Sequence, residues 1–133
     1  MIEMALLTEA KETDNKVRWD ADIDGTRFSL YIPKWRVPEP WPLKIRVTLS
    51  PRTQHRPSSL SPEVASQNPK SRLQPISAKL NKFQEHTKTI RYRPDRDAST
   101  WEIGEPYVPI PMTFDKAVSL MIDVTWVTKL GNK

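Results

Sequence analysis

"KVRWDADIDGTRFSLYIPK", Lys16 to Lys34, is the stretch whose pattern decides how this chain folds. Val17, Trp19, Ala21 and Ile23 alternate with Lys16, Arg18, Asp20 and Asp22, a two-residue period that marks a strand with one buried face. Asp24-Gly25 fits a two-residue type I′ turn, in which both positions take positive φ. Beyond it Phe28, Leu30 and Ile32 alternate with Arg27, Ser29 and Tyr31. With the loop at Asp24-Gly25, Ile23 faces Thr26, and the pairs Ala21/Phe28, Trp19/Leu30 and Val17/Ile32 share one face. Asp22/Arg27, Asp20/Ser29 and Arg18/Tyr31 share the other. A one-residue slip would expose Trp19 and Phe28 together, so turn and pattern fix one register.

The rest of the chain is proline-rich and glycine-poor, with 13 Pro, 3 Gly and 5 Trp in 133 residues. Proline continues neither a helix interior nor a central ladder, so strands joined by stiff extended segments are expected. "PKWRVPEPWP", Pro33 to Pro42, reads as such a segment, its rings covering an end of the sheet. Leu43, Ile45, Val47 and Leu49 then alternate with Lys44, Arg46 and Thr48, a strand with a basic polar face. Thr87, Thr89, Arg91 and Arg93 alternate with Lys88, Ile90 and Tyr92 in another, and "TWEIGEPYVPIP" adds a strand ending in an extended piece.

Three regions read differently. Residues 1–15 crowd their apolar side chains before a polar "TDN", which predicts a loosely ordered N-terminal arm or short helix. Residues 50–75 hold five prolines and six serines with almost no large apolar side chains, which predicts a flexible basic insert carrying Arg52, His55, Arg56, Lys70 and Arg72. Ile76, Leu80 and Phe83 have helical spacing. So do Phe114, Ala117, Val118, Met121 and Thr125, with Thr113 as N-cap, although Leu120, Ile122, Val124 and Trp126 also alternate as a strand would. A C-terminal helix is favoured over the first half of that segment, and 119–127 is open to either state. The expected fold is therefore α+β, mainly β, in one domain: a twisted antiparallel sheet with the C-terminal helix packed on one face.

Charge and chemistry narrow the function. The net charge of +5 is unevenly spread: residues 1–24 carry −4, residues 25–96 carry +11 and residues 97–133 carry −2. A basic block of that size attracts polyanions, nucleic acid above all. The absence of cysteine removes disulfides, thiolate ligands and thiol nucleophiles, and two histidines make a histidine-rich metal site unexpected. Asp20, Asp22 and Asp24 have the alternate spacing of calcium loops, but they fall in a strand and turn without a following acidic ligand, so turn and cross-strand chemistry explains them. With only Gly25, Gly104 and Gly131, no phosphate-cradling loop can be built, and no nucleophile or acid-base pair is visible. The expectation is a non-enzymatic protein without cofactor. The opening residues lack a basic region before an apolar run, and nowhere do eighteen apolar residues follow one another, so a cytoplasmic protein without a membrane partner is expected.

What remains is cumulative. Arg18, Arg27, Lys44, Arg46, Arg91 and Arg93 lie on polar strand faces, with Tyr31 among them. Cations that track phosphates beside a ring that stacks a base are how several single-strand binders work. Equally, basic residues on exposed strands discourage edge pairing. The order hairpin, further strands, then a helix introduced by "IPMTFDKAVSLMIDV" resembles the single-stranded-DNA-binding regulators that include positive cofactor four and the plant Whirly proteins. "DGTRFSLYIPKWRVPEPWP", Asp24 to Pro42, looks most like small uncharacterised cyanobacterial members of that fold group. The resemblance spans 16–49 and 87–126. It implies a homo-oligomer, a dimer in that group, with a transcription-related role, holding single-stranded DNA or RNA on the basic strand residues just named. The competing expectation is a protein-interaction or assembly module that docks through the Trp-Pro segment and the basic insert.

Overall fold

A computed structural model describes residues 1–53 and 56–127. Eight strands run through it: β1 Glu3–Glu12, β2 Lys16–Ile23, β3 Thr26–Pro33, β4 Lys44–Ser50, β5 Ile76–Glu85, β6 Thr89–Pro94, β7 Tyr107–Pro109 and β8 Ser119–Val127. They close into an antiparallel barrel in the order β1-β2-β3-β7-β6-β5-β8-β4, with β4 pairing back to β1. The hairpin holds the register expected from its pattern pair for pair, from Val17 opposite Ile32 to Ile23 opposite Thr26. Asp24 and Gly25 take φ of 53° and 86°, as the tight turn requires.

Alternation builds the core. Trp19, Phe28, Leu30, Ile45, Val47, Leu80, Ile90, Tyr92, Ile122 and Val124 all point inward and are fully buried. Eight strands leave an interior just wide enough for such side chains to fill. The outward positions carry Arg18, Asp20, Arg27, Arg46, Lys79 and Arg91, so the barrel is apolar inside and polar outside, the reverse of a membrane-spanning barrel. Among the described residues no helix is long and apolar enough to cross a membrane.

The expected C-terminal helix on a sheet is replaced by barrel closure. Ser119–Val127 is β8, wedged between β4 and β5, because Leu120, Ile122 and Val124 supply inward side chains at period two that both neighbours need. The helical spacing of Phe114, Ala117, Val118 and Met121 is coincidental, and Val118 is 75% exposed. Thr113 does accept the Lys116 amide at 3.1 Å as an N-cap would, but the turn it caps is left-handed, with Phe114, Asp115 and Lys116 at φ of 52°, 66° and 63°. Ile76, Leu80 and Phe83 are likewise in a strand, since Ile76, Ala78 and Leu80 enter the core at period two.

The segment read as a loosely ordered arm or short helix, and the one read as a flexible insert, both contain regular structure. Residues 3–12 are β1, paired on both sides; Ala5 and Leu7 point inward, and apolar Met4 and Leu6 on the outer face hide the alternation. Within 50–75, Ser61 caps the short helix α1, Pro62–Gln67, and a 3₁₀ turn follows at Pro69–Leu73. His55 lies outside the described residues. An ion pair ties this insert to the barrel. Arg36, 0% exposed, donates to Glu102 at 2.6 Å and to the carbonyls of Arg72, Gln74 and Pro75 at 2.9, 2.8 and 3.2 Å. The other Glu102 oxygen accepts from the Ser58 hydroxyl and the Leu60 amide. The Trp-Pro segment packs against the same region: Val37 is in the core and the Trp19 indole donates to the Pro42 carbonyl.

Candidate nucleic-acid interface

Barrel order decides which sequence candidates meet. β2, β3, β7 and β6 are consecutive neighbours, and they bring Arg18, Tyr31, Arg91 and Arg93 to one side. Arg18 stands directly opposite Tyr31, and Arg91 directly opposite Tyr107. Arg27 shares this face but sits at its hairpin end, opposite Asp22 and exposed. Lys44 and Arg46 do not join it. They lie on β4, four strands from β7 in either direction, paired with Thr8 and Leu6 of β1. The seven candidates thus divide between two opposite sides of the barrel.

The shortness of β7 makes a cavity. β3 and β7 pair only through Ser29 and Tyr107, and below that point the wall between β3 and β6 is completed by irregular chain leading into β7. This chain is held by the Gly104 amide donating to the Tyr31 carbonyl at 2.8 Å and the Tyr92 amide donating to the Pro106 carbonyl at 2.9 Å. A Cβ at Gly104 would meet Tyr31 Cβ and its carbonyl oxygen at 3.4 Å, an ordinary contact distance. The resulting cleft has a volume of about 540 Å³ and is lined by the rings of Tyr31, Trp35, Trp101 and Tyr107 together with Lys16 and Glu105. Four rings and a cation around one opening are what a flat, anionic, aromatic ligand needs.

Beside the cleft, Glu105 bridges two arginines. Its Oε1 accepts from Arg91 Nε at 2.8 Å and from Arg91 Nη2, while Oε2 accepts from Arg93 Nε. Partial burial works to raise the Glu105 carboxyl, but the bonds from Arg91 and Arg93 outweigh it and hold the group below its ordinary value. Phe83 lies beneath both cations, its centroid 3.5 Å from Arg93 Cζ and 4.9 Å from Arg91 Cζ. At the opposite border Tyr31 holds the Arg18 guanidinium above its ordinary value; burial opposes this and Asp20 adds to it.

The acidic residues of the hairpin are occupied locally. Asp20 accepts from the Ser29 hydroxyl at 2.6 Å, and Asp22, although opposite Arg27, accepts from the Gly25 amide at 2.8 Å. Among the described residues no group of three His, Asp or Glu is placed to hold a metal ion.

Sequence reasoning misses Phe83, Trp35, Trp101, Glu105 and Tyr107. The spacing of Phe83 reads as helical, and Trp35 reads as packing on the sheet or as part of a protein-docking segment. Glu105 and Tyr107 are two residues apart in "GEPYVP", and continuing their strand period would put both on the outer face. Trp101 carries no signal, since it stands in irregular chain after a 3₁₀ turn.

Comparison of the chain with protein-family models, with curated proteins and with solved structures gives no match, so the geometry alone carries the functional reading.

Proposed function

We propose that this protein is a non-enzymatic module that binds single-stranded nucleic acid in the cytoplasm, on the outer face of β2, β3, β7 and β6. The cleft between Tyr31, Trp35, Trp101 and Tyr107, bordered by Lys16, Arg18, Arg91 and Arg93, is the observation that supports it. Bases stack in the cleft and the cations follow the phosphates. A stacked base contributes about 1–3 kcal/mol regardless of its identity, so binding is expected to tolerate any sequence. The docking alternative calls for a free Trp-Pro segment, whereas Val37, Pro38 and Pro42 of that segment are buried.

Fluorescence anisotropy with labelled single strands at low salt tests the proposal. Tyr31→Ala and Arg91→Gln are expected to weaken binding, Tyr31→Ala by roughly tenfold or more for one lost stack. Repeated at about 0.15 M salt, where the Debye length is about 8 Å and a single distant charge is screened, Arg46→Gln on the opposite side is expected to leave affinity within about twofold. Absence of binding by the unmodified protein at low salt would end this reading, and equal losses at Arg46 and Arg91 would move the site.

A further inference from the structure

The two arginines nearest the cleft are already engaged in the free protein, by a group with the shape of their proposed ligand. Arg91 and Arg93 lie two residues apart on β6 and therefore share one face. In the antiparallel register that pairs Arg91 with Tyr107, residue 105 falls beside Arg93, which brings the Glu105 carboxylate between the two guanidinium groups. One oxygen of Glu105 meets each arginine. This is the two-oxygen recognition that guanidinium groups offer equally to carboxylates and phosphates.

We infer that the Arg91–Arg93 pair is a phosphodiester subsite, and that Glu105 occupies it as a built-in competitor until a strand displaces it. The inference rests on the single-strand reading above and adds which phosphate contacts are made and what restrains them. Three features carry it. Two cations face one carboxylate, so the cluster keeps a net positive charge and still attracts an anion. Neither guanidinium is free to drift, because Phe83 supports both and Tyr107 lies 5.7 Å from Arg91 Cζ. The cluster is also open: the Arg93 side chain is 43% exposed, whereas the Arg36–Glu102 pair, a structural tie, is shut away from solvent. Glu105 is itself a wall of the cleft, so a strand whose base lies among the rings carries its phosphate to the carboxylate's position.

The carboxylate therefore sets a threshold. Weak anions do not displace it, and a strand anchored by stacking does. Replacing Glu105 by glutamine keeps size and removes charge. The cluster then carries two net positive charges in place of one, and each counts for a salt slope of about −0.7 on a single strand. Binding of a labelled thymidine dodecamer to Glu105→Gln is expected to be roughly fivefold to tenfold tighter than to the unmodified protein at low salt, with a slope steeper by about 0.7. Glu85→Gln is the control, since Glu85 is an exposed carboxylate paired with Lys82 and Lys116 on the neighbouring strand and changes the net charge by the same amount. Equal strengthening by both replacements would mean general electrostatics and would overturn the inference. So would unchanged or weaker binding by Glu105→Gln while the unmodified protein binds; the single-strand reading would survive that result. No binding by either protein would remove both. If Glu105→Gln does not fold, Arg93→Gln decides: the expected slope is shallower by about 0.7, and an unchanged slope and affinity would refute the subsite. The dodecamer is run with a 5′-hydroxyl and with a 5′-phosphate. Equal binding is expected for an internal phosphate, and a gain confined to the 5′-phosphate would overturn the assignment to the diester.

Discussion

Replacing Arg36 by methionine should be the most damaging single change to this protein that leaves the barrel interior intact. Methionine keeps much of the stem's packing and removes all four donated bonds: one to Glu102 and three to the carbonyls of Arg72, Gln74 and Pro75. Breaking a buried ion pair costs about 3–5 kcal/mol, and the lower end applies here because Glu102 keeps Arg96 at 3.9 Å and the bonds from Ser58 and Leu60. Each orphaned carbonyl adds up to about 1–3 kcal/mol, less wherever the insert loosens and admits water, so the pair dominates. Against a total stability of about 5–15 kcal/mol, the loss is a large fraction of the whole. Urea unfolding followed by tryptophan fluorescence should show it, since Trp19 and Trp126 sit together with ring centroids 6.3 Å apart and Trp126 donates to Gln74, a residue that Arg36 holds. The expected fall in Tm is about 10–20 °C. Adding Glu102→Leu should restore a good part of the loss by removing the stranded charge, but not all, because Ser58 and Leu60 lose their acceptor. A single Arg36→Met variant within 1 kcal/mol of the unmodified protein, roughly one RT ln 10 or less, would refute the reasoning.

Two further outcomes are expected. Burial pushes the Tyr92 hydroxyl up to about 12, and in the folded protein it donates to the Ala117 carbonyl at 2.7 Å. The folded state thus keeps a proton that the unfolded chain releases near pH 10, so the folding equilibrium should drop roughly tenfold per pH unit from about 10 until the folded value is passed; Tyr92→Phe should flatten that part of an alkaline unfolding curve, and an unchanged curve would contradict it. Asp115→Gly should leave stability unchanged or raise it by up to about 1 kcal/mol in urea unfolding, because Asp115 is exposed at φ 66° in the left-handed turn, where glycine carries no Cβ penalty. A loss above 1 kcal/mol would show that the Asp115 side chain holds the turn.

How far the sequence can be read follows from where the periodic signal is clean. The hairpin is legible to the residue pair because polar and apolar positions alternate from Lys16 to Ile23 and again from Arg27 to Ile32, and Asp24-Gly25 fixes the loop. β1 is not, because Met4 and Leu6 place apolar side chains on the outer face and blur the period. β8 fails for a different reason: its residues satisfy both periods, and only the partners β4 and β5, distant in sequence, choose between them. Around the candidate cleft, strand alternation places Arg18, Tyr31, Arg91 and Arg93 at outward positions. What alternation cannot give is which strands are neighbours, so Lys44 and Arg46, identical in pattern, group with residues that the barrel places on the opposite side.

The single-pair junction between β3 and β7 also makes the barrel wall thermodynamically uneven. One ladder pair, Ser29 and Tyr107, and the Gly104–Tyr31 hydrogen bond close that seam, while the hairpin beside it is paired along its whole length. Local opening follows the weakest pairing, so amide hydrogens of 104–109 should exchange with solvent well before those of β2. The cleft lies across this seam, with Tyr31 on one side and Tyr107 on the other. Anything that binds there holds the two sides together and raises folding stability by RT ln(1 + [L]/Kd). Slowed exchange at 104–109 would thus report an occupant of the cleft whatever its chemical identity.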